Sequence, residues 1–131
     1  GRNLSLEIEN ISVQVLTDEK WLQFVLEQIL SNAAKYTQQG GVSVWLSDPA
    51  RPVLVIQDTG IGIQPEDLPR VTDWGYTGQN GHAGTRSTGI GLALCKETLD
   101  LLGHRMWIES SPGVGTSVYL DLSQNTLEIF G

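Results

Sequence analysis

Two short glycine-bracketed stretches hold the residues best placed for chemistry: "DTGIGI", Asp58 to Ile63, and "STGIGLAL", Ser87 to Leu94. In the first, Asp58 closes an apolar run, "VLVI" at 53 to 56, and the backbone then turns away through residues that include Gly60 and Gly62. One carboxylate is thereby fixed at a strand end. A lone carboxylate repels a polyphosphate, but it accepts a hydrogen bond from an exocyclic amine such as the N6 of adenine. Glycines beside it would let main chain approach a flat base. The same "DTG" also suits an ordinary turn in which Asp58 caps its own backbone, and the tripeptide alone does not choose between them. In the second stretch, Gly89 and Gly91 stand where a helix begins, leaving unpaired N–H groups and the positive end of the helix dipole open to an anion. Phosphate is the obvious anion. Thr85, Arg86, Ser87 and Thr88 just upstream add phosphate-competent donors on a glycine-rich loop able to close over a ligand. Close packing of helix on sheet would use the same two glycines.

A third group lies on the segment "DEKWLQFVLEQILSNAAKYT", where apolar residues at 21, 22, 25, 26, 29, 30 and 33 repeat with helical spacing. Gln28, Asn32 and Lys35 then fall on one stripe of that helix. The stripe fits either a solvated face or, with Ile29 and the small Ala33 and Ala34 beside it, the border of a pocket.

The elements that must hold these groups follow from pattern. Alternation marks short strands near 4–8 and 12–16, with Asp18 as N-cap of the first helix and Gly40 and Gly41 as its stop. Strands follow at 42–47 and 51–58, then a short helix opening at Pro65. Residues 73–88 read as a flexible loop by composition. A helix from about Gly89 to Leu102 ends at Gly103, and "RMWIES" and "TSVYLDL" read as strands. This order predicts an α+β fold, a two-layer sandwich with helices on one face of a mixed, mostly antiparallel sheet.

Composition narrows the function. A formal charge of −7 has the wrong sign for tracking nucleic acid, so none is expected as a partner. Cys95, the single cysteine, is expected to be a packing residue, and no apolar run is long enough to span a bilayer. The chain has no GxxxxGK[ST] P-loop, no GxGxxG opening a βαβ unit, and no HRD or DFG. His82 and His104 lack the spacing of a metal site or a triad and are expected at the surface.

Taken in order and spacing, "EQILSNAAKYT", "DTGIGI", "STGIGLAL" and "GVGTS" resemble the N, G1, G2 and G3 boxes of the GHKL superfamily, most closely the catalytic ATP-binding domain of bacterial sensor histidine kinases. The likeness runs from about Leu4 to Leu122. "GYTGQNGH" followed by "STGIGL" is further similar to the subgroup that works beside antimicrobial-peptide transporters, the bacitracin-resistance-like kinases. The resemblance implies a Bergerat fold over one domain, 1–131, with an ATP lid at about 73–88, and it implies ATP and Mg2+ as cofactors. By position, Asn32 matches the amide that ligates Mg2+, Lys35 a phosphate-contacting lysine, and Tyr36 a residue lying along the nucleotide. Asp58 matches the adenine-reading carboxylate, with Gly60, Gly62 and Ile63 as its turn. Thr85, Arg86, Ser87, Thr88, Gly89, Gly91 and Leu92 match the phosphate side, and Thr116 the threonine near the base.

Gln28 stands where the gyrase and heat-shock chaperone ATPases carry a water-activating glutamate, and an amide cannot take that proton. Glu27 is rotated about 100° around the helix and is expected to be a polar contact rather than a base. Gln28, Asn32 and Lys35 are therefore the expected catalytic set, for transfer rather than hydrolysis. The usual F-box phenylalanine is replaced by Thr72, with Trp74 or Tyr76 to supply the aromatic. Neither histidine lies in an acceptor-type helix. The expected reaction is γ-phosphoryl transfer to a histidine on a separate dimerisation domain of the same kinase. A response regulator is expected downstream and a membrane-bound parent around a soluble cytoplasmic domain. A GHKL-type ATPase and a non-catalytic nucleotide-binding module are the alternatives.

Overall fold

The computed structural model describes residues 3–8, 19–35, 37, 39–48, 52–73 and 91–122. Five strands, β1 (Asn3–Ile8), β2 (Gln39–Asp48), β3 (Val53–Asp58), β4 (Arg105–Ser111) and β5 (Gly115–Asp121), form one sheet in the order β1-β2-β3-β5-β4. β1 runs parallel to β2, and α1 (Glu19–Lys35) lies in the crossover that a parallel pair requires. The other three pairings are antiparallel. The sheet is thus mixed and mostly antiparallel, as the pattern of elements predicts.

Both helices cover the same face of this sheet. Val25, Ile29 and Ala33 of α1, with Cys95 and Leu99 of α2 (Gly91–Leu101), form one cluster with Val42, Val44, Leu54, Ile56, Val118 and Leu120. The strand residues in that cluster are spaced by two and lie opposite one another in register, so they project from one side. Cys95 is fully buried with its Sγ directed at the Val25 carbonyl, 3.7 Å away. Burial pushes its thiol up to about 12, so it packs as an inert small hydrophobe. The continuous apolar run at 53 to 56 is explained by β3 lying at the sheet centre, buried on both faces. On the face away from α1 and α2, Trp45, Val55, Tyr119 and Trp107 make one cross-strand row, with the Trp107 and Tyr119 rings stacked at 5.2 Å.

Three local expectations are corrected. Gly40 and Gly41 do not stop α1; they lie inside β2, while α1 ends at Lys35 and the Thr37 hydroxyl donates to the Ala33 carbonyl at 2.7 Å. Gly40 is required there, because at φ 114° a side chain would overlap the Thr59 hydroxyl. Pro65 does not open a helix. It sits in a turn whose Asp67 and Leu68 N–H groups donate to the Gln64 carbonyl, leading to a single 3-10 turn at Leu68–Arg70. His104 is buried, 3% exposed, rather than at the surface. Gly103 at φ 81° donates to Asp100, and His104 N–H donates back to Leu99, a Schellman closure that turns the residue after the glycine against the helix end. The strand expected at 12–16 and the Asp18 cap lie outside the described residues, as does His82.

The hairpin between β4 and β5 separates two demands on glycine. Gly115 has φ 142°, and a Cβ there would land on the Asp58 carbonyl, whereas Gly113 at φ 75° has open space around it. Gly115→Ala is therefore expected to cost about 3 kcal/mol or more, and Gly113→Ala only about 1 kcal/mol of backbone strain. Urea unfolding of the two variants, compared with the parent, checks both.

Candidate functional site

The last rung of the helix-covered face is polar where the rungs before it are apolar. Val44, Ile56, Val118 and Ile108 lie in register, and one rung further along stand Val42, Asp58, Thr116 and Ser110. Three neighbouring strands thus bring a carboxylate and two hydroxyls together at the edge of the core. Directly opposed residues share a face with Cβ atoms about 5 Å apart, so the sheet register alone enforces this meeting.

Asp58 is only 8% exposed, and its Oδ1 accepts the Gly60 N–H at 2.9 Å and the Thr116 N–H at 3.2 Å. The reading of "DTG" as a self-capping turn is thus realised by one oxygen. Among the described residues nothing donates to the other, Oδ2, and no buried side-chain oxygen there is left without a partner and sealed from solvent. Oδ2 therefore opens into accessible space as an acceptor. Burial raises the Asp58 pKa above the ordinary carboxylate value, and the two backbone donors only partly oppose it.

The turn after Asp58 is clamped to the β4–β5 hairpin. Ile63 N–H donates to Ser110 Oγ at 2.8 Å, and Gly113 N–H donates to the Ile61 carbonyl at 2.8 Å. Gly62 has φ 76°, and a Cβ there would strike the Ser111 carbonyl. Its missing side chain admits the hairpin backbone. Gly60, which is buried, serves as a donor to Asp58.

On the helix side, Gln28 and Asn32 are half-buried and face the start of α2. A Cβ at Gly91 would lie 3.4 Å from Gln28 Oε1 and 3.8 Å from Asn32 Nδ2. These are ordinary van der Waals distances, and Gly91 does not have a positive φ. Neither its backbone nor its neighbours among the described residues require glycine there, unlike Gly40, Gly62 and Gly115. The stripe of Gln28, Asn32 and Lys35 is accordingly not a solvated face, since all three are half-buried, while Glu27 next to them is exposed. Leu92 is half-buried and packs against the core.

Tyr36, Thr85, Arg86, Ser87, Thr88 and Gly89 lie outside the described residues, as do Trp74, Tyr76 and all of the expected lid except Asp73. Two contributors were not anticipated. Ser110 joins the turn to Thr116, and Thr59 accepts the Gly41 N–H at 3.0 Å, tying the turn to β2. The signal for Ser110 is present in the alternation of "RMWIES": it stands on the side of Met106 and Ile108, where an apolar residue is due.

The fold is thus a two-layer sandwich whose central strand ends in the buried Asp58 carboxylate. Residues 17–126 match the family described as histidine kinase-, DNA gyrase B- and HSP90-like ATPases, and the chain belongs to that family. It is 47% identical over 108 residues to the sensor histidine kinase YxdK of Bacillus subtilis (strain 168), a match covering 80% of this chain and 33% of YxdK. It is 34% identical over 116 residues to the sensor protein BceS of the same organism, covering 88% of this chain and 35% of BceS. Among solved structures it is similar to the mycobacterial sensor histidine kinase MprB, with a TM-score of 0.74 and 26% identity over 93% of this chain and 84% of that one. The chain thus spans about a third of the length of these curated relatives. No helix of the described residues is long and apolar enough to cross a membrane.

The ligand-free fold should be indifferent to two of these groups. Because the Asp58 pKa is raised on folding, its ionised form weakens the folded state above that pKa, and the penalty fades as pH falls through it. In Asp58→Asn an amide oxygen can accept the same two N–H groups without the charge. That variant is expected to be at least as stable as the parent at pH 7, with any advantage shrinking towards pH 4. Gly91→Ala is expected to be neutral or stabilising by up to about 1 kcal/mol. Urea titrations from pH 4 to 7 check the first variant, and one at pH 7 checks the second.

Proposed function

We propose that this chain is the ATP-binding catalytic domain of a sensor histidine kinase, passing the γ-phosphoryl of Mg-ATP to a histidine carried on a separate dimerisation domain. The observation that carries the reading is Asp58: a buried carboxylate at a strand end, with Oδ1 anchored by two backbone N–H groups and no donor to Oδ2 among the described residues. Adenine N6 is the donor that this oxygen suits. The triphosphate is then directed to the α2 start, where the absent Gly91 side chain leaves room beside Gln28 and Asn32.

A divalent cation fits this donor set as one carried in by phosphate. Among the described residues no cluster of three acidic, histidine or cysteine side chains exists to hold a metal alone. Asn32 offers one hard amide oxygen, which suits Mg2+ that keeps its waters and phosphate ligands. When bound, the cation would neutralise phosphate charge. Lys35, with Thr85, Arg86, Ser87 and Thr88, would supply the remaining positive charge and donors, and Tyr36 would lie along the nucleotide. Catalysis would rest on positioning: the acceptor imidazole nitrogen bonds to the γ-phosphorus as its bond to the ADP oxygen breaks. Gln28 favours transfer over hydrolysis, because its amide faces the helix start where a base would stand and cannot take a proton from water.

The likeness to BceS supports placement in the subgroup suggested by the loop wording, with a membrane-bound parent, a cytoplasmic site and a response regulator as the next acceptor. At free Mg-ATP near 100 times Kd, linkage gives about 2.7 kcal/mol, a melting shift of roughly 8 to 15 °C. Asp58→Asn and Gly91→Ala are expected to remove most of that shift while folding normally. Labelled ATP with a histidine-bearing dimerisation domain supplied in trans is expected to label that domain. Steady phosphate release without it would instead indicate an ATPase, and binding with neither outcome a nucleotide-sensing module.

A further inference from the structure

Ser110 lies at the junction of the carboxylate turn and β5, and its hydrogen bonds fix a proton that the site needs fixed. Its Oγ is 2.8 Å from the Gly115 carbonyl, 2.8 Å from Thr116 Oγ1, and accepts the Ile63 N–H at 2.8 Å. A carbonyl can only accept, so the single proton of Ser110 goes to Gly115. The bond between the two hydroxyls then has one direction left: Thr116 donates to Ser110. The Ser110 oxygen is thereby saturated, with one proton given and two received. Thr116, half-buried and directly opposite Asp58 in register, has no proton left for a ligand.

We propose that Ser110 is a positioning residue for base selection, holding Thr116 Oγ1 as an acceptor beside the acceptor Asp58 Oδ2, so that the pair favours 6-amino over 6-oxo purine nucleotides. This rests on the adenine-binding reading above. The 6-amino group carries two hydrogens for the two acceptors; a 6-oxo purine puts an oxygen there, to which neither can donate, and offers only its single N1 hydrogen in exchange. Without Ser110, the threonine hydroxyl is free to rotate and donate to that oxygen. The 6-oxo nucleotide gains a bond that the parent denies it.

Loss of the Ser110 clamp on Ile63 and Gly115 would also loosen the turn, but that weakens all purine nucleotides together. The ratio of affinities separates the two roles. ATP and ITP, which differ in the group at purine position 6 and in the proton that N1 gains with the 6-oxo group, are titrated calorimetrically into the parent chain, Ser110→Ala and Ser110→Thr in the presence of Mg2+. The parent is expected to prefer ATP, Ser110→Ala to narrow the ATP-to-ITP ratio by about three- to tenfold, the worth of one hydrogen bond, and Ser110→Thr to restore it. An unchanged ratio in Ser110→Ala, with both affinities lowered in parallel, overturns the role. Should Ser110→Ala not fold, Thr116→Val removes the same acceptor and is expected to narrow the ratio likewise; an unchanged ratio there overturns it equally. A parent chain that binds neither nucleotide refutes the adenine-binding reading itself, which a normal parent with an unmoved variant ratio leaves standing.

Discussion

The close approach of the β3 end to the β5 start is the constraint that makes this corner of the molecule. Gly115 lets its own backbone reach the Asp58 carbonyl, and Thr116 N–H then meets the Asp58 side chain. Burying a carboxylate costs several kcal/mol unless hydrogen bonds compensate, and here two backbone donors compensate only in part.

Around that approach, two segments far apart in sequence become one wall. The turn after Asp58 is held by Ser110 and Gly113, and on its other side by Thr59 against Gly41. The glycines at 40, 62 and 115 are consumed by these contacts. They explain why a glycine-rich sequence here does not make a loose structure: each missing side chain is a place where another backbone or a hydroxyl enters. Gly91 is the contrast, since nothing in the described protein uses the space it leaves.

The layer architecture and sheet type were legible in the sequence because they depend on periodicity, which the core residues Val25, Ile29 and Ala33 and the strand run at 53 to 56 express cleanly. Asp58, Gln28 and Asn32 were legible as groups with chemistry, since polar residues beside apolar stripes are conspicuous. Non-local geometry was not. Nothing local to Gly40 says that a strand needs it against Thr59, nothing local to Gly62 names the hairpin it admits, and His104 is buried by a helix closure that requires the register of Leu99 and Gly103. Ser110 was hidden for the same reason. Its partners are Ile63, Gly115 and Thr116, and only strand pairing brings the first of them within reach.

The two ends of the site are built from different kinds of contact, and this bears on how a ligand would be held. The Asp58 end is tied by bonds spanning 47 and 58 residues of sequence, between Ile63 and Ser110 and between Thr116 and Asp58, so it is formed once the sheet is formed. A ligand entering there need not use binding free energy to order those groups. The α1 end, among the described residues, brings the Gln28 and Asn32 side chains to the start of α2 at Gly91, a contact between neighbouring helices rather than within the sheet.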